Sequence, residues 1–454
     1  MSLALPLTLK AAVSRDCWSY RGTLGTSTTR FSSVMSGLTA SQEPLPLSER
    51  LAHARAILGE VPLVDGHNDL AMTIRKVVNN QLAQFPFHQD LTKLEPWASQ
   101  TSSHTDLPRL RKGHLGGQFW SAWVPNDSQY KNAVTQTLEQ IDVIKRLVDR
   151  YPDDLQFVTT ADGILEAHAK GKIASLIGVE GGHTIDSSLG VLRIFYNEGV
   201  RYLTLTHTSN TPWADSSVSE SGDKGQHIEF DGLSAWGKVV VKEMNRLGML
   251  VDISHVASQT MKDVLNVTRA PVIFSHSNAR AIRNITRNVP DDILVRLVGV
   301  SSSGWWVSLR QAGGCLFVRL RENGGVAMVN FFTAFLVDDL NTASIKSVVG
   351  ECLSVNLLGS HKRDELTSTI SGRWRELITP PKGLEDTSKY PDLFAELLLD
   401  PSWTDEDLKK LAGLNIIRAF REVEKVRDEL KCEDPWDQPI PREDIKDHLH
   451  CVNT

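Results

Sequence analysis

The sequence lacks the features that mark several classes of protein. It has no run of about eighteen uncharged apolar residues, so a membrane-spanning helix is not expected. Lys and Arg form no basic block and the formal net charge is −6, so nucleic acid is not expected as a partner. Cysteine is sparse and forms no CxxC pair, which argues against a disulfide framework and a zinc-finger pattern. The cysteines are Cys17, Cys315, Cys352, Cys432 and Cys451.

The composition is that of a globular protein with one large domain or two ordinary ones. The chain has 454 residues, of which 41% are hydrophobic and 23% are charged. Residues 1–44 are rich in Ser and Thr and poor in acidic residues, so they form either a targeting segment or a disordered leader. We assign residues 45–454 to the folded part. The C-terminus lacks the hydrophobic tail of a GPI signal, so the sequence assigns the protein to no particular cell compartment.

After residue 60, short apolar runs repeatedly end in polar or ionisable side chains. Amphipathic helical patterns lie between these runs, for example over 132–151 and over 234–248, where Gly248 is expected to end the helix. Strands that alternate with helices predict a parallel sheet. The predicted strand runs are 61–69, 116–123, 172–183, 200–207, 248–255, 270–276 and 324–332.

Seven predicted strands in one domain favour a (β/α)8 TIM barrel over an open doubly wound sheet. No GxGxxG motif follows the first strand, which argues further against a dinucleotide-binding fold. Barrel enzymes carry their chemistry at the C-terminal ends of the strands, and the polar residues of each run fall at such an end. We therefore expect these side chains to meet in one mouth of the barrel.

His67 and Asp69 are two residues apart, so in an extended strand their side chains point to the same face. His-x-Asp is a weak signal alone, and a single strand-end His is more often structural. That structural interpretation is preferred for His104, His114, His168 and His361. Buried ionisable groups that converge need a reason, however, and a zinc-like ion supplies one. The converging set is His67, Asp69, Glu180, His207, His255 and His276.

Long ordered stretches between about residues 60 and 420 resemble the membrane (renal) dipeptidases, zinc enzymes of the amidohydrolase-like barrel class. The resemblance implies a metal-dependent hydrolase barrel for residues 45–454. The matching stretches are PLVDGHNDL, GGQFWSAWVP, ASLIGVEGGHTIDSSLGVLRIFYNEGVRYLTLTH, NTPWADSS, NRLGMLVDISHVA, APVIFSHSNAR, RNVPDDIL, NGGVAMVNF and GLEDTSKYPDL.

The resemblance implies roles for individual residues and for the whole chain. His67 and Asp69 would bind one zinc ion, His255 and His276 would bind a second, and the Glu180 carboxylate would bridge the two. His207 and Arg287 would contact the substrate, with Arg287 suited to a dipeptide's terminal carboxylate. The implied reaction is hydrolysis of a dipeptide by a hydroxide held between the metals, with Glu180 and His207 as catalytic residues. The family is typically homodimeric, glycosylated and GPI-anchored.

The chain departs from the family at the strand that should close the barrel. Relatives end their eighth strand in GGD(F/Y)DG, and no such motif occurs in this sequence. The best replacement strand is 352–359, which puts Gly359 or Ser360 where the family has an Asp. Loss of a positioned acid or base typically costs about 10²–10⁴-fold in rate. The alternative function is therefore a metal-binding homologue with weak or no dipeptidase activity.

Three further departures bear on the chain as written. Residues 298–320 form an extra segment, and we hypothesise that it and 351–379 reflect a retained intron or a different exon choice. The alternative is a genuine loop insertion. The cysteines that form a disulfide in secreted relatives are replaced by Asn126 and Ser209, so that bridge cannot form. A clear signal peptide is also not evident, so membrane attachment rests on the resemblance alone.

Overall fold

The computed structural model describes residues 45–101, 103–298, 309–311, 314–316, 323–359, 368–371 and 380–445. Its main sheet is a parallel barrel with strands in the order β1-β2-β4-β5-β6-β7-β10-β11, and β3 lies off this path and pairs with the first residues of β4. The strands are β1 Leu63–Asn68, β2 Leu115–Trp123, β3 Leu155–Phe157, β4 Ile173–Glu180, β5 Val200–Thr204, β6 Leu250–Asp252, β7 Val272–Phe274, β8 Leu309–Gln311, β9 Gly314–Leu316, β10 Val326–Asn330 and β11 Ser368–Ser371.

Helices follow most barrel strands, which gives the (β/α)8 TIM-barrel architecture predicted from the alternating pattern. The helices are α1 Leu47–Glu60, α2 Leu70–Val78, α3 Leu107–Lys112, α4 Ala133–Arg150, α5 Ala161–Ala169, α6 Leu189–Asn197, α7 Ser217–Ser221, α8 Ala235–Leu247, α9 Ser258–Val267, α10 Asp291–Val298, α11 Thr333–Leu336, α12 Ile345–Gly359, α13 Tyr390–Leu397, α14 Asp405–Lys409, α15 Asn415–Leu430 and α16 Arg442–Ile445.

All seven strand runs predicted from the sequence contain a barrel strand. The two predicted helices are α4 and α8, and Gly248 ends α8 with a φ of 79°, a left-handed conformation that glycine adopts without strain. Within the described part of the chain, no helix is both long enough and apolar enough to cross a bilayer.

The prediction of a strand at 352–359 is wrong, because those residues belong to helix α12. The apolar residues Ile345, Val348, Val349, Cys352 and Leu353 recur with helical rather than strand spacing. The eighth barrel strand is instead β11, which pairs in parallel with β10 from Ala327↔Ser368 to Asn330↔Ser371. The residue opposite the end of β10 is thus a serine, not Gly359 or Ser360, and β11 itself contains no carboxylate.

Segment 298–320 lies largely outside the described residues. Its described part is an antiparallel hairpin of β8 and β9, which pair from Leu309↔Leu316 to Gln311↔Gly314. The leader at 1–44 and His361 also lie outside the described residues.

Alternate residues of β4 connect the barrel core to its mouth. Ala174 and Leu176 belong to one apolar cluster together with Phe119 of β2, Leu250 of β6 and Met328 of β10. Because side chains alternate between the two faces of a strand, Glu180 points to the same face as Ala174 and Leu176. The Glu180 carboxylate therefore lies at the C-terminal end of the barrel, next to the apolar side chains that fill its interior.

Candidate metal centre

Six ionisable side chains converge at the C-terminal ends of the barrel strands. His67 lies within β1 and Glu180 at the end of β4, while the other four lie just past β1, β5, β6 and β7. The six are His67, Asp69, Glu180, His207, His255 and His276. All are buried except Asp69, whose side chain is 12% exposed. The structure therefore brings together the whole set that the sequence predicted, including residues up to 209 positions apart.

Glu180 is the centre of this cluster. Its Oε1 atom lies 3.0 Å from His255 Nε2, 3.2 Å from His276 Nε2 and 3.5 Å from His207 Nε2. Its Oε2 atom lies 3.5 Å from His67 Nε2. One carboxylate thus faces four imidazoles through both of its oxygens, which is the arrangement that a bridging ligand needs.

The remaining distances fit metal ligation. His67 Nε2 lies 3.3 Å from Asp69 Oδ1, and His255 Nε2 lies 3.0 Å from His276 Nε2. Two ligands of one tetrahedral zinc ion, each about 2.0–2.1 Å from the metal, lie roughly 3.3 Å apart. The donor atoms are therefore spaced as ligands of common ions, and nitrogen with carboxylate oxygen is a set that zinc accepts.

The grouping of donors differs in part from the one that the family resemblance implies. The donor atoms form two sets, and within each set all of them lie within 4.8 Å of one another. One set is His67, Glu180 and His276, and the other is Glu180, His207 and His255. His207 is thus placed among the candidate ligands, whereas the resemblance implies that it contacts the substrate. The short His255–His276 and His67–Asp69 distances are equally compatible with the pairing predicted from the sequence.

The His67 ring is oriented by a tyrosine that the sequence reasoning missed. Tyr202 on β5 donates its hydroxyl proton to the Gly66 carbonyl at 3.2 Å, and its oxygen lies 3.1 Å from His67 Nδ1. The tyrosine oxygen then accepts from Nδ1–H, so His67 Nε2 keeps its lone pair toward the cluster. A Cβ atom at Gly178 would lie 1.9 Å from the Tyr202 ring, so only glycine leaves room for this side chain.

The His276 ring is oriented by a carboxylate one strand away. The Ser275 hydroxyl donates to Asp252 Oδ2 at 2.6 Å, and the Ser275 Oγ atom lies 2.7 Å from His276 Nδ1. Since the serine proton is used on Asp252, Ser275 accepts from Nδ1–H and His276 Nε2 keeps its lone pair. Asp252 went unnoticed in the sequence, although LVD precedes both His67 and His255 and was the signal that could have found it.

Asp65, the aspartate of the first LVD, lies behind His67. Its Oδ1 atom accepts the His67 backbone N–H at 3.0 Å, and its Oδ2 atom accepts the Tyr390 hydroxyl at 2.5 Å. Asp252 makes the equivalent local contact, accepting the Ser254 backbone N–H at 3.0 Å. Both aspartates hold the backbone that presents a histidine.

The His207 ring contacts Asn126 rather than a cysteine bridge. Asn126 Oδ1 lies 3.0 Å from His207 Nδ1 and accepts the Thr208 hydroxyl at 3.1 Å. An amide oxygen only accepts, so His207 carries its proton on Nδ1 and turns the Nε2 lone pair to Glu180. Asn126 also begins an Asn-x-Ser triplet, and this contact identifies it as a support of the cluster.

His255 is held in an unusual backbone conformation. Its φ of 68° lies in the left-handed region, which is costly for a residue with a side chain. Its carbonyl oxygen accepts the Ser217 backbone N–H at 2.7 Å and the Thr206 hydroxyl at 3.1 Å. These two bonds hold the backbone turn that aims the imidazole at Glu180.

Arg287 lies at the edge of the cluster. Its Nη2 atom donates to the His276 carbonyl and its Nη1 atom to the Ser277 hydroxyl, both at 2.7 Å. The guanidinium carbon lies 5.1 Å from the centre of the Phe335 ring, so the charged group is fixed from two sides. Its position places a fixed positive charge beside the cluster of candidate ligands.

The histidines predicted to be structural lie outside the cluster. His104 contacts the Glu385 carbonyl, His168 contacts the Gly59 carbonyl, and His114 has a φ of 54° in a turn. His183 follows Glu180 but contacts the Val124 carbonyl, and burial lowers its pKa to about 4. That neutral imidazole supports the loop after β2 and stays out of the cluster.

Comparison with known proteins gives a consistent result. The model of the membrane dipeptidase family, peptidase family M19, matches residues 51–302 and 316–434 and leaves out 303–315, within the extra segment predicted at 298–320. Dipeptidase 3 of Macaca fascicularis is 40% identical over 402 residues, which are 88% of this chain and 72% of that protein.

Solved structures support the same fold. The probable dipeptidase PvdM from Pseudomonas aeruginosa superposes with a TM-score of 0.65 at 19% identity, over 84% of this chain and 99% of its own. A metallo peptidase from Rhodobacter sphaeroides, solved with a phosphinate mimic of L-Ala-D-Ala, gives a TM-score of 0.64 at 21% identity, over 80% and 99%. These similarities establish the barrel architecture.

Proposed function

Because the chain belongs to the membrane dipeptidase family of metallopeptidases, we propose that it hydrolyses dipeptides with zinc as its metal. The observation that carries this proposal is the position of Glu180, whose two carboxylate oxygens face four histidine Nε2 atoms at 3.0–3.5 Å. A buried carboxylate among so many imidazoles is typical of a metal centre rather than of a structural ion pair.

The residues divide into two ligand groups that share Glu180. His67 and Asp69 would hold one ion, and His255 and His276 would hold the other. When bound, zinc ions polarise a carbonyl and lower the pKa of water, which supplies a nucleophile at neutral pH. Tyr202 and the Ser275–Asp252 pair fix the imidazoles so that their Nε2 lone pairs face inward, which a ligand must do.

Arg287 and His207 would bind the substrate. Arg287 would pair with the carboxylate of the dipeptide, because its guanidinium is held beside the His276 carbonyl and stays charged at any physiological pH. The His207 Nδ1–H group donates to Asn126 Oδ1, so the Nε2 atom of the neutral imidazole can accept a hydrogen bond. A protonated Nε2 atom would donate one instead. It can therefore take up a proton close to the scissile bond.

Metal content and dipeptide turnover, measured together, test this proposal. Purified protein should hold about two zinc ions per chain, and hydrolysis of Gly-Leu should stop on addition of a chelator and return with zinc. His255→Ala should lower the zinc content and abolish turnover, whereas His88→Ala, at an exposed position outside the cluster, should change neither. A protein without zinc, or turnover that survives both the chelator and His255→Ala, would contradict the proposal.

A second candidate function is supported by strand β11. Its residues Ser368–Ser371 include no carboxylate, whereas the family resemblance implies an Asp at the end of the eighth strand. The test compares this protein with a variant whose eighth strand is restored to GGDFDG. If the protein binds two zinc ions but turns over Gly-Leu about 10²–10⁴-fold more slowly than that variant, it is a metal-binding homologue of weak activity.

The assembly state is part of the same proposal. The family resemblance implies a homodimer with membrane attachment, and sedimentation of the native protein tests the first while membrane fractionation tests the second.

A further inference from the structure

Arg287 lies on a loop rather than on a helix or a strand. Residues 275–290, all of which the structure describes, connect β7 to α10 and form no regular element of their own. Loops are more mobile than the elements that they connect. A guanidinium that pairs with a carboxylate through two hydrogen bonds needs a fixed orientation. The use of Arg287 in binding therefore depends on what holds this loop.

Backbone hydrogen bonds close the loop at its base. The Arg280 N–H donates to the Val289 carbonyl, and the Val289 N–H donates to the Asn278 carbonyl, both at 2.8 Å. These bonds join the two ends of the loop. The part between them, which carries Arg287, is held by side chains.

The side chain of Arg280 holds the backbone on both sides of Arg287. Its Nη2 atom donates to the Thr286 carbonyl at 2.9 Å, and its Nε atom donates to the Asn288 carbonyl at 3.0 Å. A guanidinium is planar and presents its donors in fixed directions. The two bonds therefore fix the two carbonyl groups relative to each other, and with them the backbone from which the Arg287 side chain extends.

Glu220 on α7 fixes the Arg280 guanidinium in turn. Its Oε1 atom accepts from Arg280 Nη1 at 3.2 Å and from the Ser258 hydroxyl at 2.8 Å, and its Oε2 atom accepts the Ser258 backbone N–H at 2.6 Å. Ser258 is the first residue of α9, shortly after His255 in the chain. The loop of Arg287 is thus tied through Arg280 and Glu220 to the segment that carries a candidate metal ligand.

Arg280 is poorly suited to bind a substrate itself. Each of its three side-chain nitrogen atoms donates to a protein oxygen, and the Glu220 carboxylate balances its charge. The Arg280 and Glu220 side chains are 19% and 25% exposed, so their mutual attraction adds little to stability. What the arrangement provides is a defined geometry for the backbone around Arg287.

We propose that Arg280 is a positioning residue, which holds the loop so that the Arg287 guanidinium is oriented for a substrate carboxylate. The inference rests on the proposed function, because that function assigns the carboxylate of the dipeptide to Arg287. A group that is held in its binding orientation loses less conformational entropy when the ligand binds. Loss of the Arg280 bonds should therefore weaken the binding of a carboxylate and leave the metal ligands in place.

Two analogues that differ only in the carboxylate test this role. The probes are a phosphinate mimic of Gly-Leu and the same compound with a carboxamide in place of the carboxylate, titrated calorimetrically into the full-length zinc-loaded protein. We expect the wild-type protein to bind the carboxylate compound at least about tenfold more tightly. Arg280→Lys keeps the charge but not the planar set of donors, so it should lower this affinity ratio about fivefold with unchanged zinc content.

A double variant distinguishes an action through Arg287 from a direct one. Arg287→Lys should also lower the affinity ratio. Adding Arg280→Lys to that variant should lower the ratio no further, because the group that Arg280 positions is already lost. Effects of the two substitutions that multiply in the double variant would show that Arg280 acts independently of Arg287, which contradicts the inference.

Arg201→Lys is the matched control. Arg201 is partly buried and likewise donates to backbone carbonyls, those of Thr159, Tyr196 and Val200, but it lies at the N-terminal end of β5, away from the barrel mouth. The control should lose a similar amount of stability in thermal unfolding and keep the wild-type affinity ratio. A wild-type ratio in Arg280→Lys, or a wild-type protein that binds both analogues equally, would overturn the inference.

The two proposals fail in different ways. If Arg280→Lys lowers the affinity ratio but the wild-type protein does not hydrolyse Gly-Leu, the dipeptidase proposal fails and the role of Arg280 stands. If Gly-Leu is hydrolysed with zinc but Arg280→Lys keeps the wild-type ratio, the dipeptidase proposal stands and the role of Arg280 fails.

Discussion

The Ser275 hydroxyl donates to Asp252 Oδ2 at 2.6 Å and, through this bond, sets the proton position on the neighbouring His276. Asp252 lies at the end of β6 and Ser275 just past β7, so the contact also joins two barrel strands. The same carboxylate accepts the Ser275 backbone N–H at 2.9 Å and the Thr204 hydroxyl at 2.6 Å. One buried aspartate thus connects three strand ends and a candidate metal ligand.

Asp252→Asn should weaken metal binding without removing a ligand. An amide accepts on one side only, so either the backbone N–H groups or the hydroxyls lose their acceptor, and Ser275 can then turn its proton to His276 Nδ1. We expect zinc affinity to fall about 10–100-fold and stability to fall by about 2 kcal/mol. Chelator competition and urea unfolding measure the two effects. Asp428→Asn, at an exposed site, is the control, and unchanged zinc affinity in Asp252→Asn would contradict the assignment.

Gly178→Ala should disturb the metal centre from inside the barrel. The added methyl would lie 1.9 Å from the Tyr202 ring, which must move and take its hydroxyl away from His67 Nδ1. Overpacking of this kind costs about 1–3 kcal/mol. Gly59→Ala is the matched control, because nothing lies within 4 Å of the added atom in α1. The measurements are thermal unfolding and zinc content, and normal zinc binding by Gly178→Ala would speak against the role of Tyr202.

Arg287→Lys should separate substrate binding from metal binding. Lysine keeps the charge but loses the planar pair of donors that contacts the His276 carbonyl and the Ser277 hydroxyl. We expect kcat/KM for Gly-Leu to fall at least about tenfold, mostly through KM, with unchanged zinc content. Gly-Leu amide lacks the carboxylate and should be affected much less. An equal loss for both substrates would exclude the proposed carboxylate contact.

Glu351→Gln should change how stability depends on pH. Glu351 is buried on α12, accepts the Ala279 backbone N–H at 2.9 Å, and burial raises its pKa to about 8 from an ordinary 4.5. The folded state therefore binds the proton more tightly than the unfolded state, so stability falls as pH rises from about 4.5 to about 8. Glutamine keeps an acceptor for Ala279 and carries no charge.

Urea unfolding of the wild-type and Glu351→Gln proteins from pH 5 to pH 9 measures this effect. The free energy of unfolding of the variant should rise relative to that of the wild-type protein as pH rises through this window. Above the window the difference between the two proteins should be constant. A difference in stability that is independent of pH would show that Glu351 does not titrate as its burial requires.

Local sequence was sufficient for most of the barrel. The seven predicted strands and the helices α4 and α8 formed where the apolar period indicated, because alternation and the 3.6-residue repeat are properties of neighbouring residues. The eighth strand was misplaced at 352–359, where the apolar spacing is helical, and β11 is a four-residue strand with little pattern of its own. Its place is decided by pairing with β10.

The sequence by itself identified six candidate metal ligands, because each of them follows an apolar run in a barrel pattern: His67, Asp69, Glu180, His207, His255 and His276. Only the tertiary structure decided which way the imidazoles face. Tyr202 is 135 residues from His67, and Asn126 is 81 residues from His207. Strands distant in sequence become neighbours when a barrel closes, so proton positions on the ligands are set by contacts that no local pattern contains.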